Sequence, residues 1–236
     1  MSLKIPKVLV ITGPTSTGKT QVSYELARKQ KGEVINGDKF FFYKEFEVGT
    51  GIQDSLENTD VKQHLYQILH PTDNVPDAIE YIHTSAKIIN SMGDKNRFAV
   101  MEVYPFSYIK KLAENNTEFK PAIIGLRPTS HINFKEKVEQ RLQALIEAGL
   151  VEETEEMLDK DYRNTYVMQN SFVYGPIIEY LDGVLSLDQA KDKIVSLFLE
   201  REQEASNKFQ TIPEIKWIAH DKSKLPTTIR KILNWV

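Results

Sequence analysis

Lys7-Val8-Leu9-Val10-Ile11-Thr12, followed at once by Gly13-Pro14-Thr15-Ser16-Thr17-Gly18-Lys19-Thr20, decides how this chain folds. The first six residues are apolar and largely β-branched, with no polar alternation. A strand buried on both faces, as in a parallel sheet, has this pattern. The next eight fit G-x-x-x-x-G-K-[ST]. A helix is predicted from Lys19 to Lys29, with Val22, Leu26 and Ala27 on one face. Between a strand and a helix, such a loop turns its backbone N–H groups inward, where they meet the positive end of the helix dipole. Gly13 to Thr20 is therefore the candidate phosphate-binding segment. Lys19 brings a mobile cation to the terminal phosphate, and the Thr20 hydroxyl is placed to hold Mg²⁺. The loop specifies a diphosphate or longer ligand. It does not specify the reaction, because kinases, NTPases and group-transfer enzymes share it.

Outward from the loop, Glu33–Asn36, Arg97–Val103 and Pro121–Leu126 read as further short strands. Pro76 suits the first turn of a helix that continues through Ile79, Ile82, Ala86 and Ile89. Strands alternating with helices predict an α/β fold of the P-loop NTPase type, a parallel sheet with flanking helices. Ligands of such sheets sit beyond the carboxyl ends of the strands, where Gly13, Asp38 and Glu102 fall. The second half changes character. Phe134, Val138, Leu142, Leu145 and Ile146 form a helical stripe, and Ser186 and Gln189 make a capping box. Residues 215–218 suggest an edge strand and residues 225–235 a closing helix. Residues 1–130 thus read as the P-loop core. Residues 131–236 read as a mostly helical part that completes a substrate channel within one compact unit.

The 236 residues are 41% hydrophobic and 27% charged, with net charge −3. That balance suits one α/β domain and provides no global field for nucleic acid. The absence of cysteine excludes disulfides, zinc-thiolate sites and a cysteine nucleophile, and is consistent with a cytoplasmic protein. Met1–Pro6 lacks an apolar signal core, and no apolar run approaches the roughly 18 residues that cross a membrane.

Further segments carry a resemblance. Gly13-Pro14-Thr15 opens the loop; Asn36-Gly37-Asp38, Tyr43 and Gly49-Thr50 follow; then His64-Leu65 to Pro71, Arg141 to Glu153 (RLQALIEAGLVEE), and Ile178 to Ala190. In this order they resemble the adenine prenyltransferases, of which one branch modifies adenosine in tRNA and the other free adenine nucleotides. The resemblance covers most of the chain. It implies that the loop holds dimethylallyl diphosphate, that adenine's exocyclic amine attacks the allylic carbon, and that diphosphate leaves.

What the resemblance implies for single residues follows from that reaction. Asp38 matches the family's general base, which takes a proton from a weakly nucleophilic amine. The residue type alone also allows an Asp that caps a turn or reaches Mg²⁺ through water. Thr15 and Thr50 match hydroxyls near the reacting groups. Arg141 matches an arginine that reaches phosphate, although an arginine on a helix is commonly a solvated one. Arg201 aligns loosely with a second phosphate-contacting residue. His64 is a candidate for the acceptor site, against a structural or surface role. Of Phe40, Phe41, Phe42 and Tyr43, at least two are expected to pack onto the sheet, since neighbouring side chains cannot all face one pocket.

The chain also departs from that family. Where the family has Gly-Gly-Ser/Thr after its third strand, this chain has Glu102-Val103-Tyr104-Pro105-Phe106-Ser107, so bulky Val103 and Tyr104 are expected to reshape or narrow the channel. The helical insertion with which the tRNA branch grips its substrate has no counterpart between Tyr108 and Ile123. Residues 200–209 carry three glutamates where a tRNA binder needs basic residues. The motifs match the tRNA branch, while size and charge favour a free adenine nucleotide, which is the acceptor expected here. A P-loop kinase and a ligand-binding protein without turnover are the rival readings.

Overall fold

The computed structural model describes residues 7–92, 98–114, 118–129 and 131–235. Strands β1 (Lys7–Thr12), β2 (Glu33–Gly37), β3 (Gln63–His64), β4 (Phe98–Val103), β5 (Pro121–Pro128) and β6 (Lys216–His220) form a six-stranded sheet in the order β3-β2-β4-β1-β5-β6. Every pairing is parallel. The predicted parallel α/β sheet is thus present, with β6 as an edge strand and a two-residue β3 that no sequence pattern announced. Arg97, the expected first residue of β4, lies outside the described residues.

Burial on both faces explains the missing alternation in β1. Leu9 and Ile11 join Val34, Val100, Ile124 and Leu126 against α1 (Lys19–Gln30) and α10 (Leu225–Leu233). Val8 and Val10 face the opposite way with Ile35, Met101 and Val103, into a larger core. That core is covered by α3 (Ala78–Ser91), α4 (Phe106–Ala113), α5 (His131–Glu147), α6 (Leu150–Asp159), α7 (Tyr166–Asn170), α8 (Tyr174–Leu181) and α9 (Leu187–Phe209). Phe134, Val138, Leu142 and Leu145 bury the stripe read from the sequence. A short helix, α2 (Gln53–Leu56), lies in the otherwise irregular stretch after β2.

Among the described residues, two helices begin with the reciprocal cap. Ser186 and Gln189 cap α9 as read. At α3 the cap is Asp77, whose carboxylate accepts from the Ile79 and Glu80 amides while Glu80 reaches back to the Asp77 amide. Such a cap contributes about 1 kcal/mol. It sets the start of α3 at Ala78, two residues beyond Pro76, so Pro76 precedes the helix instead of forming its first turn. Among the described residues, no helix is long and apolar enough to cross a membrane.

Candidate active site

Because the sheet is parallel, β1, β2 and β4 deliver their carboxyl ends to one edge, and a cavity of about 650 Å³ opens there. The loop between β1 and α1 forms its floor. Gly13 has φ 135°, and a Cβ there would collide with the Leu126 carbonyl oxygen on β5, so only glycine lets the loop leave β1 this close to the sheet. Gly18 caps α1 at φ 82°. The Thr17 hydroxyl donates to the Pro14 carbonyl at 2.7 Å, which closes the loop on itself, and Lys19 Nζ donates to the same oxygen at 3.1 Å. Lys19 is buried, and burial holds its ammonium below the ordinary lysine value against the opposing pull of Glu102 and Asp38.

Asp38 leaves β2 facing this loop. The turn that carries it is set by Asn36, fully buried, whose side-chain oxygen accepts from the Asp38 amide at 2.8 Å and whose amide group donates to the Asp38 and Leu65 carbonyls. One Asp38 carboxylate oxygen accepts from the Phe40 amide at 3.0 Å. Burial raises the Asp38 carboxyl above its ordinary value, while that amide, Lys19 and Arg141 pull it back. A carboxylate so placed can accept a proton from a group standing over the phosphate loop.

Glu102, the fifth residue of β4, was read from the sequence as falling where ligands bind, without a role in the transfer reaction. Strand parity turns it toward α1, opposite to Val103. Thr20 Oγ1 donates to its Oε1 at 2.8 Å, and its Oε2 is buried without a hydrogen-bond partner. Burial pushes its carboxyl up to about 7, and the Asp38 charge adds to this against Lys19, Thr20 and Arg141. A sign follows for stability. From about pH 4.5, its ordinary value, to about 7, the folded protein keeps a proton that the unfolded chain has lost, so stability falls as pH rises through that window. Glu102→Gln keeps the acceptor for Thr20 and removes the titration. In chelator-containing buffer this variant should match the parent at pH 4 and melt higher at pH 8, with a difference of about 3 kcal/mol at most. Melting curves that keep a constant separation from pH 4 to 8 would show that folding does not raise the Glu102 carboxyl above its ordinary value.

The hydroxyl of Thr20 and the carboxylate of Glu102 are hard oxygen donors of the kind Mg²⁺ takes, and the unpartnered Oε2 leaves ligating capacity, so these residues fit the ion. No cluster of three His, Asp or Glu is present among the described residues.

The opposite wall comes from the helical half. Arg141 on α5 lines the cavity and donates to the Thr50 carbonyl at 3.3 Å. The loop bearing Thr50 is clamped in turn by Glu153 of α6. This carboxylate accepts from the Glu47, Val48 and Gly49 amides at 2.7, 2.7 and 2.8 Å and from the buried Tyr174 hydroxyl at 2.7 Å. Glu153 was legible only as one letter of a motif, and its role as a clamp needs the fold. The Thr50 hydroxyl is turned inward to the Phe46 carbonyl, so this residue meets the site through its backbone.

Thr15, Ser16, Gly18, Lys19, Thr20, Asp38, Thr50 and Arg141 all line the cavity. Arg201 is not among the residues that line the cavity: it is exposed, bonded to Glu204, and lies 5.3 Å from the ring centre of Phe172, which is a wall residue. His64 is not brought to the cavity. Its ring is bonded at 2.7 Å to Glu33, at the amino end of β2, because β3 pairs in parallel beside that end. Of the aromatic run, Phe40 and Phe41 line the cavity while Phe42 and Tyr43 are buried in the core. The channel expectation divides likewise: Val103 is wholly core, and Tyr104 alone enters the cavity.

Residues 98–198 match the IPP transferase family model. The tRNA dimethylallyltransferase of Caldanaerobacter subterraneus subsp. tengcongensis is 23% identical over 300 aligned positions, spanning 95% of each chain. That of Exiguobacterium sp. is 25% identical over 80% of this chain and 83% of its own. An alignment of 300 positions against 236 residues leaves at least 64 positions at which the first relative has residues and this chain has none. The solved tRNA Δ(2)-isopentenylpyrophosphate transferase of Staphylococcus epidermidis has a TM-score of 0.87 at 17% identity over 98% of both chains. The full-length tRNA isopentenylpyrophosphate transferase of Bacillus halodurans has 0.84 at 19% identity, over 97% of this chain and 95% of that one. A eukaryotic dimethylallyltransferase solved acting on tRNA has 0.80 at 14% identity, over 97% of this chain and 77% of that one. By relatives along nearly its whole length and by fold, this chain is similar to tRNA dimethylallyltransferases, and its residues 98–198 carry the match to the IPP transferase family model.

Proposed function

We propose that this protein transfers a dimethylallyl group from dimethylallyl diphosphate to the exocyclic amine of an adenine in tRNA. The observation that carries the reading is one cavity in which a phosphate loop, a buried cation and a partly buried carboxylate converge from β1, α1 and β2, beside an aromatic wall. Relatives of this family and fold bear the name of that reaction. The preference for a free adenine nucleotide, drawn from size and charge, finds no support among them.

In this reading the loop amides, Lys19 and Arg141 hold the diphosphate, and Thr50's carbonyl keeps the Arg141 guanidinium turned inward. The amine nitrogen bonds to the allylic carbon as the carbon–oxygen bond to diphosphate breaks. The electron pair of that bond leaves with the diphosphate, and Asp38 takes the proton from nitrogen. Thr20 and Glu102 would hold Mg²⁺, which when bound would supply positive charge beside the leaving diphosphate. A phosphoryl-transfer reading gives Tyr104, Phe40 and Phe41 no task, whereas an apolar donor needs such a wall.

One observation favours a second acceptor. The stretch between α4 and β5 is short, and relatives carry residues that this chain lacks. The test offers labelled dimethylallyl diphosphate and Mg²⁺ with unmodified tRNA and, separately, with AMP, ADP and ATP. Label on tRNA is expected. Label on a free nucleotide alone would replace the acceptor, and no label on any acceptor would overturn the transfer reading.

A further inference from the structure

Transfer from an allylic diphosphate puts positive charge on carbon. As the bond from C1 to oxygen stretches, the allyl system shares that charge between C1 and C3. Asp38 and Glu102 would attract it, but a carboxylate touching an allylic cation can form an ester with it. A neutral aromatic face attracts the charge without that bond, because the ring quadrupole is negative above its plane.

Tyr104 is placed to offer such a face. It is the first residue after β4, and parity sends Val103 into the core and Tyr104 into the cavity beside the phosphate loop. Its hydroxyl stands near Thr15 of that loop, which pulls its titration down. Burial pushes this hydroxyl up to about 12, so the phenol is neutral at physiological pH. The ring already attracts a cation: Lys19 Nζ lies 5.1 Å from its centre, within the roughly 6 Å range of a cation–π contact. The same ammonium rests on the Pro14 carbonyl. A diphosphate in the loop draws Lys19 to its own oxygens, which frees the ring face. A donor whose diphosphate sits in the loop brings C1, the carbon bonded to it, toward the cavity that Tyr104 lines. The neighbouring wall ring, Phe172, carries the Arg201 guanidinium 5.3 Å from its centre.

Resting on the proposed transfer reaction, we propose that the face of Tyr104 stabilises the positive charge developing on the allylic carbons, which makes Tyr104 a catalytic residue. The charge contact is made only as the carbon–oxygen bond opens, and leucine keeps the apolar contact that Tyr104 gives the donor as a wall residue, so loss of the ring lowers kcat and leaves donor binding little changed.

The experiment compares wild type, Y104L and Y104F. Each is assayed for kcat and donor KM with the acceptor the wild type uses, and for inorganic pyrophosphate affinity by calorimetry with Mg²⁺. Y104L should lose about 5- to 30-fold in kcat, with donor KM and pyrophosphate affinity unchanged. Intact pyrophosphate binding also shows that the loop is folded. Y104F, which restores the ring, should recover most of the loss. Unchanged kcat in Y104L, or a loss confined to KM, would overturn the proposal, and so would a Y104F as slow as Y104L, which would assign the effect to the hydroxyl. The wild type is read first: if it turns over with no acceptor, the transfer reading itself is sunk, and this proposal with it.

Discussion

Lys19→Ala should lower the rate of dimethylallyl transfer by about a thousandfold and abolish measurable binding of inorganic pyrophosphate. Lys19 is 8% exposed, and its ammonium stands where the loop, Asp38, Glu102 and Arg141 meet. Burial makes the charge costly there, and the neighbouring carboxylates offset only part of that cost. A cation kept in such a place is available to a polyanion at short range with little water between, where a charge-assisted hydrogen bond is strongest. It also answers charge that grows on the leaving diphosphate, so its removal affects kcat as well as binding. The fold should survive. Gly18 still caps α1, and alanine is a good helix former at the first helical position. Calorimetry with pyrophosphate, a melting curve and the transfer assay check the three parts. Wild-type pyrophosphate affinity in the folded variant would remove Lys19 from the phosphate site.

Asp38→Asn should lower kcat by about 10²- to 10⁴-fold, the range typical for loss of a general base, while leaving pyrophosphate affinity equal or slightly tighter. Asparagine is isosteric and keeps an oxygen to accept from the Phe40 amide, so the turn set by Asn36 should hold. Removing a negative charge near the loop does not weaken an anion's binding. The pH profile is the sharper readout. The carboxyl sits above its ordinary value because it is buried, and a base works only when deprotonated. Wild-type kcat should therefore rise with pH through that raised value to a plateau, and the variant should lack this limb. A full rate in Asp38→Asn together with an inactive Lys19→Ala would move the base elsewhere, with Glu102 the nearest alternative.

The two residues differ in how they could be found. Lys19 belongs to a contiguous pattern whose geometry is made by its own backbone, and the structure places it among the residues that line the cavity. Asp38 is one acidic residue among 33, and only the motif block around it and its place after a strand singled it out. Asn36, two residues earlier, was read as part of the block, but its role in aiming Asp38 depends on Leu65, 29 residues away. His64 shows the converse. It lies in a motif segment, yet its ring belongs to Glu33 at the other end of β2.

By itself, the sequence determined the parallel sheet and the phosphate loop. Apolar runs without alternation must be buried on both faces, and a glycine-rich turn between strand and helix exposes its amides whatever else the chain does. It also determined the capped start of α9 and the apolar stripe of α5, each written within a few turns of helix. Only the tertiary structure decided which side chains meet in the cavity. Thr20 and Glu102 are 82 residues apart, Arg141 and Thr50 are 91, and the amides held by Glu153 are more than 100 away. Strand register and parity decided that Val103 fills the core while Glu102 and Tyr104 face the site. Register is fixed by the packing of the whole sheet, and a shift of one residue would exchange those faces.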